Sequence, residues 1–244
     1  MTKHSITVVS AGLSEHSASS LLAQQLQASV ASALAGYGQQ AEFEVFELKR
    51  LIPQIGNQLV TGFPQGELAQ ALGSVRESAG IITVTPVFKA SYAGLFKSFW
   101  DLVEEDSIRH KPLLLAATGG TARHSLALEF ALRPLFAYFQ ADIVPTAVFV
   151  ATDDFGAESA MQTRIERAGL ELAQKLLGAS FGQEPSAAKV PRETAQPGKS
   201  PIPLEQAEQV DVELMDRTGK VQRSGLAELK ITPFDQLLKK TQVK

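Results

Sequence analysis

Short apolar runs alternate along most of this chain with longer stretches in which apolar side chains recur every third or fourth position. The first pattern predicts strands and the second helices, so the succession reads as βαβ units feeding a mostly parallel sheet. Strands are predicted at 6–10, 42–48, 79–85, 112–117 and 143–150. The run at 79–85 is apolar on both faces, as a central parallel strand should be, whereas Phe43, Val45, Phe46 and Leu48 alternate with glutamates and suit a strand nearer an edge. Helices are predicted at 17–34, 66–78, 92–104, 125–139 and 158–177. In the first, Leu21, Leu22, Leu26, Val30 and Leu34 share one spacing, which Gly36 and Gly38 end. Pro134 should kink the helix at 125–139. Residues 50–64, rich in Gly, Pro, Asn and Gln, read as an irregular connection.

The alternation stops near residue 180, which divides the chain into an α/β domain at 1–180, a linker at 181–209 and an extension at 210–244. Pro185, Pro191, Pro197, Pro201 and Pro203 stand in the linker among small and charged residues. In the extension, Asp216-Arg217-Thr218-Gly219 suits a hairpin turn, and Thr232-Pro233 suits a helix start. A piece this small buries too little apolar surface to fold alone, so the expectation is that it docks on another surface or stays disordered.

Composition narrows the chemistry. Apolar residues make up 44% of the chain and charged residues 20%, with a net charge of −3; these are ordinary globular values, and no basic run interleaved with aromatics suggests nucleic acid as a partner. The absence of cysteine excludes disulfides, thiolate nucleophiles and iron–sulfur clusters. No apolar run approaches the ~20 residues that span a bilayer, and no apolar leader follows Met1, so the chain is expected to be soluble and cytoplasmic. His4, His16, His110 and His124 lack the pairing that a metal site needs. No G-x-S-x-G elbow is present, and Asp153-Asp154 reads as a solvated turn, which leaves hydrolase chemistry without a nucleophile.

Three stretches where a strand runs into a helix carry the chemical interest. Residues 10–20 place Ser10, Gly12, Ser14, Ser17, Ser19 and Ser20 at the start of the first helix, hydroxyls and amides suited to a phosphate on a helix N-terminus. Neither G-x-G-x-x-G nor G-x-x-x-x-G-K-[ST] can be written there, which disfavours a dinucleotide-type or nucleoside-triphosphate loop. Residues 85–89, Thr85-Pro86-Val87-Phe88-Lys89, end the third strand; Ser91 is read as the cap of the next helix, which aims amides near Phe88 and Lys89 at a planar ligand. Thr118-Gly119-Gly120, after the fourth strand, lets a backbone approach a flat ring. Arg123 and His124 are within reach from the following helix. Phe99 and Trp100, at helical spacing, are read as core.

Taken together, these stretches resemble the NAD(P)H-dependent FMN reductase family, and more closely its branch paired with luciferase-like flavin monooxygenases. The resemblance runs over residues 4–180 and rests on the stretches 91–99, 117–129 and 132–138. It implies a flavodoxin-like, doubly wound, five-stranded parallel sheet of order 2-1-3-4-5. It further implies FMN and NADH or NADPH as cofactors, a homodimer or homotetramer, and delivery of reduced flavin to a monooxygenase. By the same resemblance Gly12, Ser14, Ser17, Ser19 and Ser20 bind the FMN phosphate, Thr85 to Lys89 line the isoalloxazine, and Thr118 to Gly120 hold its pyrimidine edge. This chain departs from the wider family in two places: Leu13-Ser14-Glu15 stands where an arginine is common, and Phe88-Lys89 where Tyr-Asn is common. No catalytic acid or base is expected, because the flavin carries the redox chemistry. Two other readings remain open at this point: a quinone or azo reductase that keeps its FMN, and a flavodoxin-like electron carrier, against which the near-neutral charge argues.

Overall fold

Alternation of side chains along each strand sorts the core into two halves, one on either face of the sheet. In the computed structural model the residues described are 2–14, 17–151 and 158–178, with the backbone of 214–215 and 221–222. Five parallel runs are formed by β1 (Lys3–Ser10), β2 (Gln40–Glu47), β3 (Gly80–Phe88), β5 (Pro112–Gly119) and a broken last strand, β6 (Asp142–Ile143) plus β7 (Val148–Ala151). Their order is β2-β1-β3-β5 followed by β6 and β7, the expected 2-1-3-4-5. A two-residue strand, β4 (Ser91–Tyr92), turns back antiparallel on the end of β3.

On one face Ile6, Val8, Ile82, Val84, Leu114 and Val148 pack beneath α1 (Ala18–Gly36) and α6 (Glu158–Leu176). On the other, Val9, Ile81, Leu113 and Leu115 meet α2 (Leu48–Thr61), α3 (Gly66–Glu77), α4 (Gly94–Trp100) and α5 (Arg133–Tyr138). Both faces are covered, which is why the central strands read as continuous apolar runs. Under α4 and α5 the aromatic rings interlock, Trp100 lying edge-on to Phe136 at 4.7 Å between centroids and to Phe99 at 5.5 Å. Trp100 and Phe99 are buried, as their spacing predicts.

Several boundaries differ from expectation. Residues 50–64 are mostly helix: Leu48, Leu51 and Ile55 are buried on one side of α2, which packs against α3 and α4, and Gly62 closes the helix in the left-handed region at φ 79°. Packing overrides the Gly, Pro and Asn content, and Pro53 is carried inside the helix. Ser91 caps nothing; it belongs to β4, and α4 starts two residues later at Ala93 without a side-chain cap. The helix expected at 125–139 begins as a wide π turn, Leu128–Leu132, and becomes α5 with Pro134 in its first turn, where the missing N–H has no partner to lose. The last strand breaks around Pro145. There the buried Glu171 carboxylate takes both the Thr146 N–H and the Thr146 hydroxyl at 2.7 Å, replacing the ladder.

The chain divides into two units, 1–191 and 192–244. In the second, β8 (Leu214–Met215) pairs antiparallel with β9 (Val221–Gln222). The expected linker and the rest of the expected extension lie outside the described residues. Among the described residues no helix is long and apolar enough to cross a membrane.

Lys111, just before β5, supplies a test of these energetics. Its Nζ donates to the carbonyls of Val75 and Arg76 at 2.6 and 2.7 Å, closing the last turn of α3. Burial pushes its pKa down from 10.5 to about 8, with Glu77 pulling the other way. Between those two values the unfolded chain binds more protons than the folded one, so this group's contribution to stability rises with pH across that window and falls again on acidification. Denaturant unfolding should therefore show the stability of the wild type relative to Lys111→Met increasing from about pH 7 to about pH 10; a difference that stays flat or shrinks contradicts the depressed pKa.

Candidate active site at the carboxyl edge of the sheet

Register places the ends of three adjacent strands side by side. Ser10 lies opposite Val84 on β3 and Glu47 on β2, and Pro86 lies opposite Thr118 on β5. The Ala11 N–H continues the ladder to the Val84 carbonyl at 2.9 Å. All three loops thus leave from one crest, and a buried contact of 2.8 Å between the Ser19 and Thr118 hydroxyls ties the first to the third.

At the first loop, Ser17 is the N-cap of α1: its Oγ accepts the Ser20 N–H at 3.0 Å. Gly12 is obligatory beside it, since a Cβ there would stand 2.0 Å from Ser17 Oγ. The first turn of α1 has no acidic residue, so its amides keep their positive potential. Ser20 donates to Glu47 Oε1 at 3.0 Å, and Glu47 pairs at 3.2 Å with Lys49, whose Nζ also donates to the Ser14 carbonyl at 3.1 Å. Glu47 and Lys49 belong to no local motif; the signal for them in the sequence is their position at the exit of β2, the strand next to β1. Ser19 differs from expectation, being 1% exposed with its hydroxyl engaged by Thr118, so it joins loops and does not face outward. Ser10 is equally buried, and its Oγ has no partner among the described residues. Glu15 and His16 lie outside the described residues.

The second loop is a hairpin. Lys89 and Ala90 turn β3 into β4, both in the left-handed region at φ 53° and 64°, where Asn-Gly would be the relaxed choice. Thr85 is fully buried; its Oγ1 accepts the Ala93 N–H at 3.1 Å and donates to the Pro86 carbonyl at 3.0 Å, which fixes the hairpin against the start of α4. Pro86 is half-buried, Val87 buried and Phe88 exposed. In the third loop Gly119 is needed because a Cβ would meet the Phe149 ring at 2.8 Å, while Gly120 faces open space. Thr121 then caps the short turn Ala122–His124, and the His124 Nδ1 is buried without a partner among the described residues. A hollow of about 380 Å³ joins the second and third loops, lined by Ala90, Ser91, Arg123, His124, Leu126 and Phe130. The nearby Glu129 carboxyl is held below its usual range by its hydrogen bond to Arg133, with which it forms an ion pair at 2.6 Å. A larger hollow of about 630 Å³, walled by Met161, Arg164 and Arg167, opens at the sheet edge and touches the crest only through Phe149. Among the described residues no cluster could hold a metal ion.

Amides and hydroxyls outnumber formal charges among the described residues of this crest, where a helix N-terminus, a hairpin and a small-residue turn meet, a donor set suited to an anionic ligand. This arrangement belongs to the doubly wound, flavodoxin-like class, whose ligands sit where strand order reverses. A sequence profile of the NADPH-dependent FMN reductases matches residues 4–155, and the chain belongs to that family. It is 34% identical over 150 residues to an FMN reductase (NADPH) of Pseudomonas aeruginosa, covering 62% of this chain and 78% of that one. With the NADH-dependent FMN reductase SfnF of Pseudomonas putida it shares 41% identity over 105 residues, 41% of this chain and 56% of that protein. Among solved structures, an oxidoreductase from Corynebacterium diphtheriae superposes with a TM-score of 0.71 at 39% identity, over 74% of this chain and 100% of its own.

Two substitutions test the local geometry. Gly12→Ala should displace the Ser17 cap and cost about 1–2 kcal/mol of unfolding free energy. The double change Lys89→Asn/Ala90→Gly should relieve the left-handed strain and raise stability by about 1–2 kcal/mol. Equal midpoints for wild type and both variants in urea unfolding would contradict the two readings.

Proposed function

We propose that this chain passes hydride from NADH or NADPH onto N5 of FMN and delivers the reduced flavin to a luciferase-like flavin monooxygenase. The enzyme class and its cofactors follow from family membership; the delivery step and the residue assignments are proposals. The observation that carries the reading is the Ser19–Thr118 contact, which brings a phosphate-type helix N-terminus and a small-residue turn to one crest.

In this reading Gly12, Ser14, Ser17 and the α1 amides hold the phosphate, with Ser20 positioned through Glu47. The unpartnered Ser10 hydroxyl and His124 Nδ1 are buried polar atoms that a ligand at the crest would satisfy. Pro86 to Lys89 run along the ring, and Gly119 and Gly120 leave room for its pyrimidine edge. Thr85, Ser19 and Thr118 act from behind, fixing the loops to the sheet. Lys89 offers a cation at the ring's polar edge, where charge accumulates on reduction. No side chain needs to exchange a proton with carbon in such a transfer, because the flavin carries the redox chemistry. The assembly is proposed to be a cytoplasmic homodimer or homotetramer, with 1–180 as the reducing domain, 181–209 as the linker and 210–244 as an extension that either docks or stays disordered.

The deciding experiment mixes protein, FMN and either nucleotide without oxygen. The oxidised-flavin absorbance should fall over many turnovers of free FMN. Flavin that neither nucleotide bleaches would point to a carrier, and rapid turnover of quinones with FMN retained would point to the quinone reductase reading. Lys89→Ala should lower kcat/KM by about tenfold, the equivalent of 1.4 kcal/mol; unchanged kinetics would remove Lys89 from the site.

A further inference from the structure

The hollow of about 630 Å³ at the outer edge of the sheet takes no part in the reaction proposed above, yet it has the size of a small-molecule site. It opens where the last strand breaks: Pro145 and Thr146 form one wall, and Phe149, Met161, Arg164 and Arg167 form most of the rest. The two arginines stand three positions apart on α6 and so share one face of it. Each is pinned through Nε, Arg164 donating to the Ala147 carbonyl at 2.8 Å and Arg167 to Glu171 Oε1 at 3.1 Å. The Nη nitrogens of both have no hydrogen-bond partner among the described residues. The carboxylates nearby are already committed. Glu171 gives its oxygens to Thr146 and Arg167, and both Glu129 oxygens are taken by Arg133, which also donates to the Pro145 carbonyl. Three guanidinium groups therefore face two carboxylates, and the surplus charge falls on Arg164. Beside it lie the apolar surfaces of Phe149, Met161 and Pro145. A ligand that suits both is a flat ring system bearing a phosphate.

We propose that this hollow holds the adenosine end of NADPH, with Arg164 and Arg167 on its 2′-phosphate, and that this contact makes the chain prefer NADPH to NADH. Pinning at Nε leaves the outer edge of each guanidinium set for a phosphate, so little side-chain freedom is lost on binding. Register brings the hollow within reach of the crest. β7 is the neighbour of β5, roughly 5 Å away, with Ala117 opposite Phe149 and Gly119 opposite Ala151. The Phe149 ring is also what a Cβ on Gly119 would meet at 2.8 Å. One aromatic side chain thus separates the small-residue turn from the hollow, a gap that a dinucleotide with a pyrophosphate between its rings can span. NADH lacks only the phosphate and leaves the arginine pair unmatched, so the pair acts on the choice of nucleotide and not on hydride transfer. The proposal rests on the reaction above for its nicotinamide end alone.

Calorimetric titration of the full-length protein without FMN reads the adenosine end by itself. Adenosine 2′,5′-bisphosphate should bind about tenfold more tightly than adenosine 5′-monophosphate. Arg164→Ala/Arg167→Ala should bring the two within about twofold, whereas Arg76→Ala on α3 should keep them apart. With FMN as acceptor, kcat/KM for NADPH should exceed that for NADH by about tenfold, and the ratio should collapse towards one in the double variant; mere damage to the fold lowers both activities and keeps the ratio. A wild type that binds the two adenosine phosphates equally, or that uses NADH as well as NADPH, overturns the proposal. So does a preference that survives the loss of both arginines. Bisphosphate binding abolished by inorganic phosphate at equal concentration also overturns it, reducing the hollow to a general anion site. If no flavin is reduced while the arginine-dependent preference for the bisphosphate remains, the reaction proposed above fails and the nucleotide site stands. Should the double variant fail to fold, the wild-type titration and Arg167→Gln, at a side chain 72% exposed, decide.

Discussion

A parallel sheet covered on both faces has only its strand ends left for chemistry, and that constraint organises this molecule. Apolar side chains fill both halves of the core, and the ladders satisfy the backbone within it. Polar groups collect where the ladders stop. Ser10, Thr85, Thr118 and Ser19 are all buried; the Ser19 and Thr118 hydroxyls join two loops, and the Thr85 hydroxyl ties its own hairpin to the start of α4. Behind the crest lies a polar layer that fixes where each loop leaves the sheet, and in front of it lies a set of amides, hydroxyls and glycines. The order of strands, more than any single residue, decides which loops meet.

Charge is used sparingly in front. The positive end of α1 is left without an acid in its first turn, and Glu47, a carboxylate near it among the described residues, is matched by Lys49. Such a helix end presents aligned dipoles and few formal charges, which suits an anion through hydrogen bonds more than through ion pairs. The hairpin adds a second economy: Lys89 and Ala90 sit in conformations that cost about 1–2 kcal/mol each, and Thr85 holds the hairpin in place through Ala93 and Pro86. Strain at that turn is tolerated because it sets the course of the backbone along the proposed ring site and leaves a lysine at its tip.

Much of this was legible in the residues. The alternation of apolar runs yields the five strands and their helices, and the hydroxyl-rich start of α1 marks the crest before any coordinates are seen. The failures have separate physical causes. The helix at α2 was hidden by Gly, Pro and Asn, because composition weighs every residue equally while folding weighs the i, i+3, i+7 set Leu48, Leu51 and Ile55 that reaches the core. Ser91 looks like a cap because serine before an apolar run usually is one; the hairpin at Lys89–Ala90, which uses residues that rarely adopt left-handed conformations, shifts the start of α4. Glu47 and Lys49 are distant from the first loop in sequence and adjacent to it only through the β1–β2 register, which no local pattern encodes. Ser19 resembles its neighbours in sequence, and only the third dimension separates an inward hydroxyl from an outward one.

The same helix that composition concealed bears on the crest as well. Its first turn carries Lys49, whose ammonium donates to the Ser14 carbonyl of the first loop, and its later turns carry the exposed stripe from Ile52 to Val60. One rigid rod therefore reaches from the crest to a solvent-facing apolar surface, with Gly62 closing its far end. In a parallel sheet the loops gather at the strand ends, so a helix that begins at a strand end meets the crest with its first turn and the solvent with its later ones.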